Sequence, residues 1–200
     1  MRHTNTTSWP MIVLLGVMGL IATARGEIIT NGGFETGNFT GWRTFAALGG
    51  SGGGPGTRTS GYFGQPPQAG NYLVEIYDNS SNMNGNGGGL EQDIHVLLGR
   101  DFTLSYYLSS AGSDTKVTVS VLDSGGTPLV DQQHDATSGS WNYHELDFTS
   151  ITRSLTVRLQ ETSDNSSSRD PLIDSIRITP EPGPGMLLVL AGLLVVARRP

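Results

Sequence analysis

Residues 101–108 read Asp101-Phe102-Thr103-Leu104-Ser105-Tyr106-Tyr107-Leu108. Phe102, Leu104, Tyr106 and Leu108 recur at every second position, with polar residues or Tyr107 between them. A period of two is the signature of a strand with one dry face and one wet face. The same spacing returns in Val117-Val119-Val121 and Leu155-Val157-Leu159, and in multiples of two in Leu172-Ile176-Ile178. Turn-forming clusters separate these runs: Leu98-Gly99-Arg100, Ala111-Gly112-Ser113, Asp123-Ser124-Gly125-Gly126 and Thr137-Ser138-Gly139. Further strands are expected at 27–30, 72–77, 90–96, 129–134 and 144–149, nine or ten in all. No sustained helical period interrupts them. The expectation is an all-β fold, a two-sheet antiparallel jelly-roll sandwich.

The chain has room for one such domain. It has 200 residues, of which 36% are hydrophobic and 15% charged, with 28 glycines and no cysteine. Disulfides, cysteine nucleophiles and thiolate metal sites are therefore excluded. The net charge is −6, and Lys116 is the lone lysine, which argues against a nucleic-acid partner. Between residues 25 and 179 there are 9 basic and 17 acidic residues, so the middle of the chain is more acidic than the whole.

Both ends differ from this middle. After Arg2 and His3, residues 11–21 (MIVLLGVMGLI) form an apolar run followed by Ala22-Thr23-Ala24. Residues 1–24 are thus expected to be a secretory signal peptide, cut by signal peptidase. At the other end, Pro180-Glu181-Pro182 and a Gly-Pro-Gly spacer precede residues 186–197 (MLLVLAGLLVVA), and Arg198 and Arg199 follow. Twelve residues at a helical rise span about 18 Å against a hydrocarbon core of about 30 Å, too short for a permanent anchor. Short apolar helices are expected at both ends.

The order Pro180-Glu181-Pro182, apolar stretch, Arg198-Arg199 resembles the PEP-CTERM sorting signal. That resemblance implies an exosortase, a membrane transpeptidase, as partner. It implies delivery of residues 25–179 to the cell envelope or extracellular matrix, with transient membrane anchoring through residues 180–200.

Two glycine-rich stretches, residues 49–56 and 82–89, are expected to be surface loops. A second resemblance runs through the middle: Asn31-Gly32-Gly33-Phe34-Glu35, Gly41-Trp42, Gly70-Asn71-Tyr72-Leu73-Val74, Gly89-Leu90-Glu91-Gln92-Asp93-Ile94, the segment 99–106, and Leu172-Ile173-Asp174-Ser175-Ile176. In that order these segments resemble the galactose-binding-like jelly roll of many carbohydrate-binding modules. The resemblance implies a structural Ca²⁺ held by Glu35 and Asp174, although Ala69 stands where some of those modules place a further acidic ligand. It places Phe34, Trp42 and Phe148 in the core.

Sugar recognition uses flat aromatic rings with amides, carboxylates or guanidinium groups beside them. Strand parity turns Tyr107 away from the core, and turns Arg158 and Gln160 to the wet face of their strand. Tyr107, Arg158 and Gln160 are expected to share a shallow polar cleft. Tyr62, Phe63, Trp141 and Tyr143 are further loop or strand-edge candidates.

Catalysis has little support. Gly49-Gly50-Ser51-Gly52-Gly53 matches a nucleophile pattern but lacks the strand and helix that an elbow requires. His95, His134 and His144 lack metal-ligand spacing. The sequence reads as an exported, non-enzymatic binder of matrix polysaccharide. A structural or adhesive matrix protein, or a hydrolase with an unrecognised site, are the alternatives.

Overall fold

The computed structural model describes residues 28–46, 54–61, 64–76, 87–112, 114–162 and 170–182. The expected signal peptide, Tyr62, Phe63, both expected terminal helices, Arg198 and Arg199 lie outside these residues. Ten strands run in chain order: β1 (Arg43–Phe45), β2 (Pro55–Arg58), β3 (Leu73–Ile76), β4 (Gly89–His95), β5 (Asp101–Ala111), β6 (Thr115–Leu122), β7 (Pro128–Ala136), β8 (Asn142–Thr149), β9 (Ser154–Glu161) and β10 (Asp170–Pro180). They form two five-stranded antiparallel sheets, ordered β1-β4-β9-β6-β7 and β2-β3-β10-β5-β8. We call these sheet I and sheet II.

Alternation builds the core as expected. Phe102, Leu104, Tyr106 and Leu108 of sheet II meet Val117, Val119 and Val121 and Leu155, Val157 and Leu159 of sheet I, all buried. Full burial of an aliphatic side chain of this kind contributes about 1.5–3 kcal/mol. Phe34 and Trp42 pack against each other at 5.7 Å, and Phe102 stacks on Phe148 at 5.5 Å.

The segment that opens the domain departs from expectation. Residues 28–30 are bends and turns rather than a strand. Asn31 and Phe34 adopt left-handed φ values of 53° and 57°, which a strand forbids. The turn is instead pinned to β10, where the Ile176 amide donates to the Gly32 carbonyl at 2.9 Å.

The glycine-rich stretches are less uniform than expected. Pro55 and Gly56 enter β2, paired with Ile76 and Glu75. Gly87, Gly88 and Gly89 are buried, because β4 there passes against β9; a Cβ on Gly89 would lie 2.2 Å from the Leu159 carbonyl oxygen.

Parity also fails once. The pairing of β10 with β5 shifts register between Asp174 and Arg177, and Ser175 sits at φ 55°. The bulge inserts a residue, so Leu172 and Ile176 face opposite sides of sheet II. Ile173, Ile176 and Ile178 join the main core, while Leu172 joins Leu73 and Ala111 in a small apolar patch on the outer face.

Candidate functional site

The outer face of sheet II is partly covered and partly open. Trp141 packs on the Leu73, Ala111 and Leu172 patch and donates its indole N–H to the Pro66 carbonyl at 3.0 Å. The segment around Gly61 and Pro66 therefore lies over β3 and β10. Gly61 is a close approach, since a Cβ there would sit 2.7 Å from Leu172 Cδ1. Beneath this cover Glu75 is fully buried and its carboxylate accepts from Arg58 at 3.2 Å.

Strands β5 and β8 leave the remainder open. Tyr107 and Tyr143 are directly opposite in the register and their rings lie 5.1 Å apart, inclined at 53°. Tyr143 is 52% exposed. Its hydroxyl donates to the Glu145 carboxylate, and that bond holds the phenol proton, raising its pKa. The next rows on the same face pair Ser105 with Glu145 and Thr103 with Asp147. The Thr103 hydroxyl lies 2.8 Å from Asp147 Oδ1 and 2.5 Å from Glu181 Oε1. It has one proton to give, so one of the two carboxylates keeps acceptor capacity. A groove of about 850 Å³ runs past Thr103, Glu145, Asp147 and Glu181 towards Leu129 and Ile151. The outer face thus joins an aromatic platform to a row of oxygen acceptors. Such a surface can stack against the apolar side of a ring and accept hydrogen bonds from hydroxyl groups.

Arg158 and Gln160 do not belong to this site. They project from β9 on the outside of sheet I, separated from Tyr107 by the whole sandwich. Alternation tells which side of a strand is wet, but a sandwich has two wet sides. Arg158 is held there by Glu91, at 2.9 and 2.7 Å, and lies 5.4 Å over the Phe45 ring. Gln160 donates to the Gly87 carbonyl at 3.1 Å. Arg43 bonds Glu91 and Asp93 beside them, and its guanidinium draws the Asp93 carboxyl down to about 2. This face is a structural ion-pair network.

Glu35 and Asp174 flank the segment 68–72. The Glu35 carboxylate accepts from the Asn71 and Tyr72 amides at 3.0 Å. Asp174 accepts from the Gln68 and Ala69 amides at 2.9 and 3.1 Å and from Ser175 at 2.6 Å. Gly70, at φ +67°, is required here, because a Cβ would fall 2.4 Å from the Glu35 carboxylate. Burial pushes the Asp174 carboxyl up to about 6; the three amides oppose this and the Glu35 charge adds to it. Hard carboxylate oxygens such as these are the donor type that Ca²⁺ takes. Among the described residues no cluster of three or more carboxylate or histidine ligands is present.

One juxtaposition escaped the sequence reading. His134 on β7 and His144 on β8 meet between the edges of the two sheets, with ring centres 4.3 Å apart, and both pack on Tyr106. Burial lowers both imidazole pKa values; the Asp135 charge opposes the shift at His134, while a charge on His134 adds to it at His144. Inward parity on both strands was the available signal.

The two five-stranded sheets form an antiparallel jelly-roll sandwich, the fold of several carbohydrate-binding modules. The structure is similar to a module, TmCBM61, solved with β-1,4-galactotriose, with a TM-score of 0.57 and 19% identity over 78% of this chain and 99% of that one. It is similar to the CBM22-1 xylan-binding domain of Paenibacillus barcinonensis Xyn10C, with a TM-score of 0.53 and 16% identity over 74% and 90%. It also matches the enzymatically active domain of bacteriophage CBA120 tailspike protein 4, with a TM-score of 0.57 and 13% identity, covering 78% of this chain and 21% of that one. At these identities the likeness shows the fold. No curated protein matches by sequence. The chain belongs to the DUF642 family of proteins of unknown function, whose model matches residues 27–179.

Proposed function

We propose that this protein is an exported, non-catalytic module that binds polysaccharide on the open outer face of sheet II. The observation that carries the reading is the Tyr107–Tyr143 pair, 5.1 Å apart with Tyr143 half exposed and Tyr107 partly buried, beside the hydroxyl and carboxylate row of Thr103, Glu145 and Asp147. The saccharide-binding neighbours of the same fold support it. Residues 1–24 direct export, and residues 180–200 are a PEP-CTERM tail processed by an exosortase, placing the domain at the envelope or in the extracellular matrix, with exopolysaccharide as ligand. A structural Ca²⁺ held by Glu35 and Asp174 would tie the opening turn to β10 in a domain without disulfides.

The test is affinity electrophoresis of the chain through gels containing native exopolysaccharide, alongside a glycan array. Retardation by at least one polysaccharide is expected. Unretarded migration with no array signal overturns the binding assignment.

A further inference from the structure

Among the described residues four large hydrophobic side chains are strongly exposed: Leu97, Leu98, Tyr143 and Ile151. Tyr143 belongs to the platform. The other three, exposed by 67%, 55% and 60%, gather at one end of the sandwich on two neighbouring loops. Ser150 stitches those loops together: its hydroxyl donates to the Leu97 carbonyl at 2.6 Å, its amide to Arg100 at 2.9 Å, and its carbonyl accepts from Gly99 at 2.8 Å. A rigid apolar tip results. Single exposed leucines are ordinary, but three held together by a buried serine form a patch. Arg100 and Arg153 are exposed beside it.

The chain leaves the domain at this same end. The Glu181 amide donates to the Asp101 carbonyl at 2.9 Å, two residues from Gly99, and Glu181 shares the groove wall with Ile151. From Pro182 only four residue steps lead to Met186, where the apolar run 186–197 begins. Fully extended, they reach about 14 Å. A segment placed in a bilayer from that position brings this end of the sandwich to the bilayer surface. Twelve apolar residues are also too few to span the hydrocarbon, and one weak attachment is reversible unless a second contact adds to it.

We propose that Leu97, Leu98 and Ile151 form a membrane-facing tip that enters the bilayer interface next to the C-terminal apolar segment, with Arg100 and Arg153 at headgroup level. The proposal rests on residues 186–197 being membrane-directed and is independent of sugar binding. It orients the domain: strands β5 and β8 rise from the surface, and the Tyr107–Tyr143 platform stands above it.

The absence of native cysteine makes the test direct. Full-length Leu98→Cys and Ile151→Cys, and Ser138→Cys at the opposite end, are labelled with an environment-sensitive fluorophore. They are mixed with phosphatidylethanolamine–phosphatidylglycerol vesicles and floated. Labels at 98 and 151 should shift to the blue and be quenched by brominated lipid, while the label at 138 stays aqueous. The Leu97→Ser, Leu98→Ser, Ile151→Ser triple variant should partition at least tenfold more weakly. Flotation with aqueous labels at 98 and 151 overturns the tip. So does failure to float, and so does lipid-independent disulfide crosslinking of the unlabelled Leu98→Cys variant, which would assign the patch to a second copy.

Discussion

Replacing Gly32 with alanine should cost about 2–4 kcal/mol of stability, whereas the same change at Gly33 should cost almost nothing. An ideal Cβ at Gly32 falls 2.0 Å from the Ile176 carbonyl oxygen, a full ångström inside the 3.0 Å that real Cβ atoms respect. The obstacle is backbone, so no side-chain rotation relieves it. The turn 31–36 must lift from β10, which breaks the hydrogen bond from Ile176 to Gly32, worth about 1 kcal/mol, and leaves a donor poorly paired. Lifting also shifts Phe34, which is fully buried against Trp42, and displacements in a packed core cost about 1–3 kcal/mol. At Gly33 the nearest atoms are 3.8 and 4.0 Å away, ordinary contact, and φ is not left-handed. Alanine there restricts the unfolded chain and changes stability by less than about 1 kcal/mol, in the stabilising direction. Urea unfolding followed by tryptophan fluorescence reads both. With a slope of about 2 kcal/mol/M, Gly32→Ala should lower the midpoint by about 1–2 M. Equal midpoints for the two variants would refute the claim that the Gly32 turn is locked onto β10.

Stability should fall as pH drops below about 6.5, the ordinary histidine value, because partial burial holds His134 and His144 towards the neutral form and the unfolded chain binds protons more readily. Asp174 runs the other way: its carboxyl, raised to about 6, costs about 3 kcal/mol when ionised, a cost removed as pH falls from 6 towards 3.8. The comparison that isolates the histidines is wild type against His144→Phe, which keeps the ring on Tyr106 and should flatten the acid limb of a melting-temperature profile; an unchanged limb rejects the pair as its source. For calcium, EDTA should lower the melting temperature and Glu35→Gln should abolish that shift; identical melts with and without EDTA reject the ion. Arg158→Ala should cost less than about 1 kcal/mol and leave polysaccharide retention unchanged, since Arg158 serves Glu91 on the outside of sheet I; lost retention would return the site to that face.

Much of the fold was legible because alternation is a local property. From Phe102 to Leu108 each side chain's direction follows from its neighbour's, and Tyr107 emerged outward for that reason. Leu172 broke the rule because the bulge at Ser175 is a backbone event with no periodic trace. The short edge strands β1 and β2 were hidden for another reason: they are set by pairing with β4 and β3, not by their own composition, and Pro55 and Gly56 read locally as loop. The grouping of Tyr107 with Arg158 and Gln160 failed at the next level. Parity assigns a face within a strand, while membership of sheet I or sheet II is decided by long-range pairing. The same gap concealed the meeting of His134 and His144 and the Tyr107–Tyr143 pair, since both depend on which strands lie at neighbouring edges or in register. Tyr143 was named, but its partner was not foreseen.

The central claim is that the open face of sheet II carries the ligand. Its most direct measurement is the migration of wild type, Tyr107→Ala, Tyr143→Ala and the double variant through gels containing the retaining polysaccharide, with folding checked by urea midpoint. Each stacked ring removed should weaken retention by about tenfold, on the order of 1.4 kcal/mol, with the double variant unretarded. Undiminished retention of the folded double variant would contradict the account.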